Sequence, residues 1–193
     1  LARQLFHMTW PMLFGVLSLM TFQLADSAFV GQLGQEPLAA LGFTVPMQQL
    51  ISGMYVGLGI ATTAIISRTL GSGDETRAHR LGGLVITVGA TLAFLLVAAL
   101  WLLQEPIMTL LGAEQALLPV IRDYWAPWLV AAWTGAMLYF GYAVCRSHGD
   151  TKLPGYMMIG TSLLNIALDP LYIFVFGWGL PGAAWATITA FST

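Results

Sequence analysis

Two short stretches of this sequence put carboxylates among residues that are otherwise lipid-soluble: Asp26, in QLADSAFV, and Asp169, in the run TSLLNIALDPLYIFVFGWGL. A carboxylate at mid-membrane costs about 2.5–3.5 kcal/mol on insertion scales, so a partner, an ion or a function must offset it. Asn165 lies four residues before Asp169, which gives amide and carboxylate one helix face. Pro170 follows, removing a backbone donor and leaving nearby carbonyls freer to bend or to meet water and ions. Two carboxylates in one low-dielectric cavity repel each other and are poorly solvated, which makes such a pair a site for a proton or a sodium ion. Thr187 either faces the same cavity or bonds its own helix backbone. The plainer alternatives are that Asp26 reaches the outer interface, that Asp169 ends a helix among headgroups, and that Asn165 joins helices.

These residues need a membrane to be unusual, and composition supplies one. Of 193 residues, 58% are hydrophobic and 8% charged, too few charges to cover a water-facing surface. Seven basic residues against nine acidic ones leave no basic field for nucleic acid. The single cysteine, Cys145, excludes an intrachain disulfide and a cysteine-based metal cluster. A bilayer-spanning helix needs roughly 20 apolar residues. Charged and turn-forming interruptions then divide the chain into spans at about 8–30, 38–70, 81–103, 124–145 and 155–176, with a sixth from 181 that is cut off at 193. The second is expected to enter the membrane near Pro46, and a connection runs from Gln104 to Asp123. The runs are too long for strands and lack sustained alternation. The chain begins without Met and stops within an apolar segment, so a retained first span and a fragment of a longer protein are expected.

Orientation follows from the basic residues, which concentrate in short cytoplasmic loops. Arg3, Arg68, Arg77, Arg80, Arg146 and Lys152 fall on one side and Arg122 alone on the other, which places the N-terminus in the cytoplasm of a multi-pass inner (plasma) membrane protein. At about 1.5 Å per residue, Asp26 lies roughly 27 Å along the first span and Asp169 roughly 22 Å along the fifth. Both carboxylates therefore belong at similar heights in the outer half of the bilayer.

Other polar features read more plainly. The loop RTLGSGDETRAHR neither follows a strand nor matches a P-loop and is a solvated topogenic loop. Gly53 and Gly57 permit close helix packing. Tyr139 and Tyr142, with Trp125, Trp128 and Trp133, are packing or interface residues, the two tyrosines being weak candidates for a substrate path. His7, His79 and His148 fall at cytoplasmic margins and form no metal or catalytic set within the membrane.

The series ADSAFVGQLGQEPLAALG, GLGIATTAIISRTLGSGD, RSHGDTKLP, NIALDPLYIF and GAAWAT, in that order, resembles the amino-terminal half of a multidrug and toxic compound extrusion (MATE) transporter, over essentially the whole chain. The resemblance implies an all-α integral membrane fold, a six-helix lobe that is half of a twelve-helix, two-lobe transporter. It further implies export of organic cations or other amphipathic compounds in exchange for protons or sodium, with no enzymatic step and no cofactor. By the same resemblance Asp26, Asn165, Asp169 and Thr187 form the coupling-ion site, with no metal beyond a sodium ion. The partners implied are an amphipathic substrate, the bilayer and a carboxy-terminal lobe. One departure concerns span four, where YFGYAV stands in place of a polar amide some members carry. A lipid-linked oligosaccharide flippase of the same superfamily would need basic residues inside its spans. An intramembrane hydrolase would need a nucleophile and base on facing helices.

Overall fold

The computed structural model describes residues 2–193, with side chains from Thr9 onward. Arg3 and His7 lie outside the side chains described. No strand occurs among the described residues. The helices are α1 (Ala2–Gln32), α2 (Gln35–Gly71), α3 (Glu75–Leu102), α4 (Gln104–Leu110), α5 (Leu118–Ser147), α6 (Lys152–Pro170) and α7 (Leu180–Ser192), with a π-helical segment, Leu171–Val175, continuing α6. Five of them, counting the π segment with α6, are long and apolar enough to cross a membrane. Their outward faces carry bare apolar side chains such as Leu84, Phe94, Leu95 and Leu163, the surface a helix presents to lipid rather than to water.

The turns are written in the sequence. Gly73 and Gly149 adopt φ of 81° and 82°, a conformation that costs other residues a Cβ clash. Each is followed by an aspartate that caps the next helix. Asp74 accepts from the Arg77 N–H at 2.9 Å, and Asp150 accepts from the N–H groups of Lys152 and Leu153 at 3.0 and 3.1 Å. The glycine-rich loop is thus a helix stop and start, joined by a cap of the kind short polar side chains provide.

The long second helix and the segment after α3 add detail to the sequence expectation. Helix α2 runs unbroken through Pro46 for 37 residues, roughly 55 Å of helix, so it extends well beyond a hydrocarbon core of about 30 Å. The connection expected over Gln104–Asp123 is largely helical: α4 occupies its start and α5 begins at Leu118. Arg122 on α5 pairs with Glu105 on α4, a charged contact on exposed side chains that apolar-run counting reads as loop.

Helix α5 is the hub, packing against α2, α3 and α7, while α1 lies along α6. Small residues set these distances. A Cβ on Gly89 of α3 would fall 2.6 Å from the Phe140 ring, and one on Gly155 of α6 would fall 2.7 Å from the Pro11 carbonyl oxygen of α1. Helices in lipid associate through such close contact, because no hydrophobic gain separates a partner helix from an acyl chain. A buried cluster that includes Trp125, Trp128, Met108, Ile51, Val30 and Ile173 joins α1, α2, α4, α5 and the π segment. Trp125 also donates its indole N–H to the Leu100 carbonyl at 3.2 Å, tying α5 to the last turn of α3.

Candidate functional site

Helix α6 brings Asn165 and Asp169 onto one face, and both are fully buried. The Asn165 side chain lies 3.0 Å from the Thr187 hydroxyl on α7. In the amide orientation that satisfies every neighbour, Nδ2 donates to Asp169 Oδ2 at 3.0 Å. Its Oδ1 then accepts from the Thr187 N–H at 3.2 Å and from Thr187 Oγ1 at 3.0 Å. That orientation is assigned from the network, as amide orientations must be. The Thr187 hydroxyl is also 3.0 Å from the Ala183 carbonyl of its own helix, so its single proton serves either the Asn165 or the Ala183 oxygen.

Backbone geometry explains why α7 comes near enough. The chain changes from α to π winding directly after Pro170, which lacks the N–H needed to continue the ladder. Such single-turn π segments are rare and concentrate at functional sites. Gly182 then packs on this segment: a Cβ there would stand 2.9 Å from the Tyr172 carbonyl carbon and oxygen. Only glycine permits that approach, and Thr187 follows within two turns.

Asp26 enters from α1. One of its carboxylate oxygens is buried without a hydrogen-bond partner, and the side chain lines a cavity of about 220 Å³ between α1, α2, α5, α6 and α7. Thr187 lines the same cavity, whereas Asn165 and Asp169 stand behind its wall. Asp26 and Asp169 lie within electrostatic range of each other. The four candidate residues are therefore one cluster, with Asp26 and Thr187 facing the cavity and the other two behind.

Sequence reasoning overlooked Tyr124. Its side chain is 3% exposed, it lines the cavity, and it lies within electrostatic range of both carboxylates. The signal was available: Tyr124 begins the fourth apolar run on the side opposite the basic loops, which is the height inferred for both acids. Gln23 and Gln48 also line the cavity, as do Tyr139, Tyr142 and Trp128. No Lys or Arg does. Among the described residues no three His, Cys, Asp or Glu side chains gather as a metal site. His79, in the first turns of α3, and His148, at the end of α5, do meet, with ring centroids 6.0 Å apart.

The fold is that of a known transporter family. The family model MatE matches residues 11–171, and the chain belongs to that family as a multi-pass membrane protein. It is 37% identical over 196 residues to an "FAD transporter" of Shewanella oneidensis, covering 97% of this chain and 42% of that one. It is 30% identical over 193 residues to the "Probable multidrug resistance protein YpnP" of Bacillus subtilis, covering 96% and 42%. The structure superposes on the Vibrio cholerae MATE transporter VcmN in the bent form with a TM-score of 0.97, at 59% identity over 99% of this chain and 44% of that one. A MOP superfamily transporter from Pyrococcus furiosus matches with a TM-score of 0.91 at 27% identity, over 98% and 42%. The chain spans a little under half the length of these relatives, and it corresponds to the amino-terminal half of a MATE transporter.

Proposed function

We propose that these residues form the ion-responsive lobe of a secondary active antiporter that exports organic cations or other amphipathic compounds in exchange for protons or sodium. The observation that carries this reading is the cluster itself. A cavity-facing carboxylate with an unpartnered oxygen, Asp26, stands within range of a second, buried carboxylate, Asp169, which is wired through Asn165 to α7. One added positive charge relieves the repulsion between the acids, and the donors around them are oxygens, which suit a proton or a hard cation. Within this reading the chain does no covalent chemistry.

Coupling needs two conformations that ion and substrate favour unequally. Helix α1 supplies the moving part. Its inner end is packed tightly on α6, where Gly155 meets Pro11, while Asp26 sits about four turns further along. Neutralising the acids removes the reason for the outer part of α1 to hold its position, and it bends and repacks as bound substrate leaves outward. Six of seven basic residues on one side support an N-terminus in the cytoplasm and an inner-membrane location.

The relative named as an FAD transporter suggests a second substrate class. An anionic dinucleotide would call for basic residues to meet its pyrophosphate, and none of the described residues lining this cavity is basic. The same absence weighs against a lipid pyrophosphate flippase. The deciding experiment reconstitutes the full-length protein in proteoliposomes and follows a lipophilic organic cation, and FAD separately, against imposed proton or sodium gradients. Gradient-driven movement of the cation supports the reading; movement of neither under any gradient rejects it.

A further inference from the structure

Toward the basic loops, the α2–α5 contact beside the cavity is built regularly. Helices α2 and α5 run parallel there, in contact through residues spaced four apart on each: Gly59 against Tyr139, Thr63 against Ala143, Ser67 against Ser147. The Tyr139 ring occupies the notch left by Gly59, where a Cβ would fall 2.5 Å from it. The Thr63 hydroxyl lies 3.3 Å from the Ala143 carbonyl, and the Ser67 hydroxyl 3.4 Å from that of Ser147. Small residues and side chain to backbone bonds of this kind are how helices close on each other in lipid.

Tyr139 is the large side chain among these three contacts, and two further neighbours hold it. Tyr55 packs on it at a centroid distance of 4.9 Å and is itself anchored through a 3.0 Å hydrogen bond between its hydroxyl and Ser52. The guanidinium of Arg146, from the last turns of α5, sits over the Tyr139 ring with its carbon 5.0 Å from the centroid. Cation–π attraction strengthens as water is excluded, and Arg stacks on a ring better than Lys because its charged group is planar and weakly hydrated. Every other described basic side chain of the inner loops serves the solvated margin; Arg146 reaches back toward the cavity.

We propose that Tyr139 is the plug between the cavity and the basic end of the bundle, and that Arg146 is the positioning residue that keeps its ring seated in the Gly59 notch. This rests on the reading of the cavity as the transport cavity and reassigns Tyr139 within it: the ring closes the path rather than carrying substrate along it. With the plug seated, a substrate in the cavity leaves only past Asp26, and ions do not slip through the lobe without moving it.

The test uses full-length protein in a Cys145→Ala background free of other cysteines, with Ala132→Cys as the reporter. Ala132 lines the cavity two turns above Tyr139 on α5. A cationic thiosulfonate reagent is added from the face bearing Arg77 and Lys152. Replacing Arg146 with Met, which keeps the stem and removes the charge, is expected to raise the labelling rate roughly tenfold, the factor that about 1.4 kcal/mol of lost cation–π contact carries. Arg146→Lys, which keeps a cation, and Tyr139→Phe, which keeps the ring, are expected to stay close to the parent. Labelling of the Met variant at the parent rate, or of the Lys variant as fast as Met, overturns the proposal. If Arg146→Met fails to fold, Tyr139→Leu decides: faster labelling supports the plug and unchanged labelling removes it. Labelling needs no ion gradient, so a parent that fails to transport would sink the functional reading and leave this result standing.

Discussion

Asn165 donates its side-chain amide to the Asp169 carboxylate one helical turn away, at 3.0 Å, and both are sealed from solvent. A buried carboxylate held by a neutral donor keeps a fixed place without a fixed counter-charge. On the proposed reading it responds to whatever charge arrives at Asp26 across the α1–α6 contact. A salt bridge in the same position would have satisfied Asp169 permanently.

Leucine at either position should separate function from folding. Asp169→Leu removes the acid and should abolish ion-driven exchange in the full-length protein with near-normal membrane expression, since leucine is cheaper in lipid than either polar residue. Asn165→Leu should also abolish exchange, and it additionally strips Asp169 of a donor, a loss worth about 1–3 kcal/mol. Transport assays beside thermal unfolding of the purified variants check both halves. Normal drug resistance with Asp169→Leu would return this cluster to a structural role.

Asp26→Asn keeps the size of the side chain and fixes it in a neutral form. Substrate affinity in this variant should no longer change with pH or sodium, and exchange against an imposed ion gradient should stop. Binding titrations across pH and sodium concentration measure the first effect and proteoliposome flux the second. Unchanged dependence on both ions would remove Asp26 from the coupling site.

Gly182→Ala probes the approach of α7. Its new Cβ would stand 2.9 Å from the Tyr172 carbonyl, where only backbone is available to move, and overpacking of this kind costs about 1–3 kcal/mol. Since α7 carries Thr187, ion-driven exchange should weaken along with thermal stability. A variant as stable and as active as the parent would show that the contact yields freely.

Topology is tested with reporters. A fusion in the loop from Asp74 to Arg80 should read cytoplasmic and one near Glu114 external, because the basic residues cluster on the first side. The reverse pattern would invert the orientation, and the outward direction of release with it.

The amino-acid sequence by itself determined the class of protein and the height of its chemistry. Charge scarcity forces the chain into lipid, long apolar runs must be helices there, and the Gly73–Asp74 and Gly149–Asp150 steps mark where helices stop and restart. Residue counting along two helices with a common starting side put Asp26 and Asp169 at one level, because helical rise is uniform. Only the tertiary structure decided what lies beside what around that level. Counting gives depth and says nothing about rotation, so it could not show that α1 lies along α6 or that Asp26 faces the cavity while Asp169 stands behind its wall. Tyr124 was missed for the same reason: a tyrosine at the edge of an apolar run reads as an interface anchor until its helix is found to begin two turns earlier. The closeness of α7 to α6 depends on a Cβ absent from Gly182, and a missing atom acquires meaning only when a neighbour occupies its space.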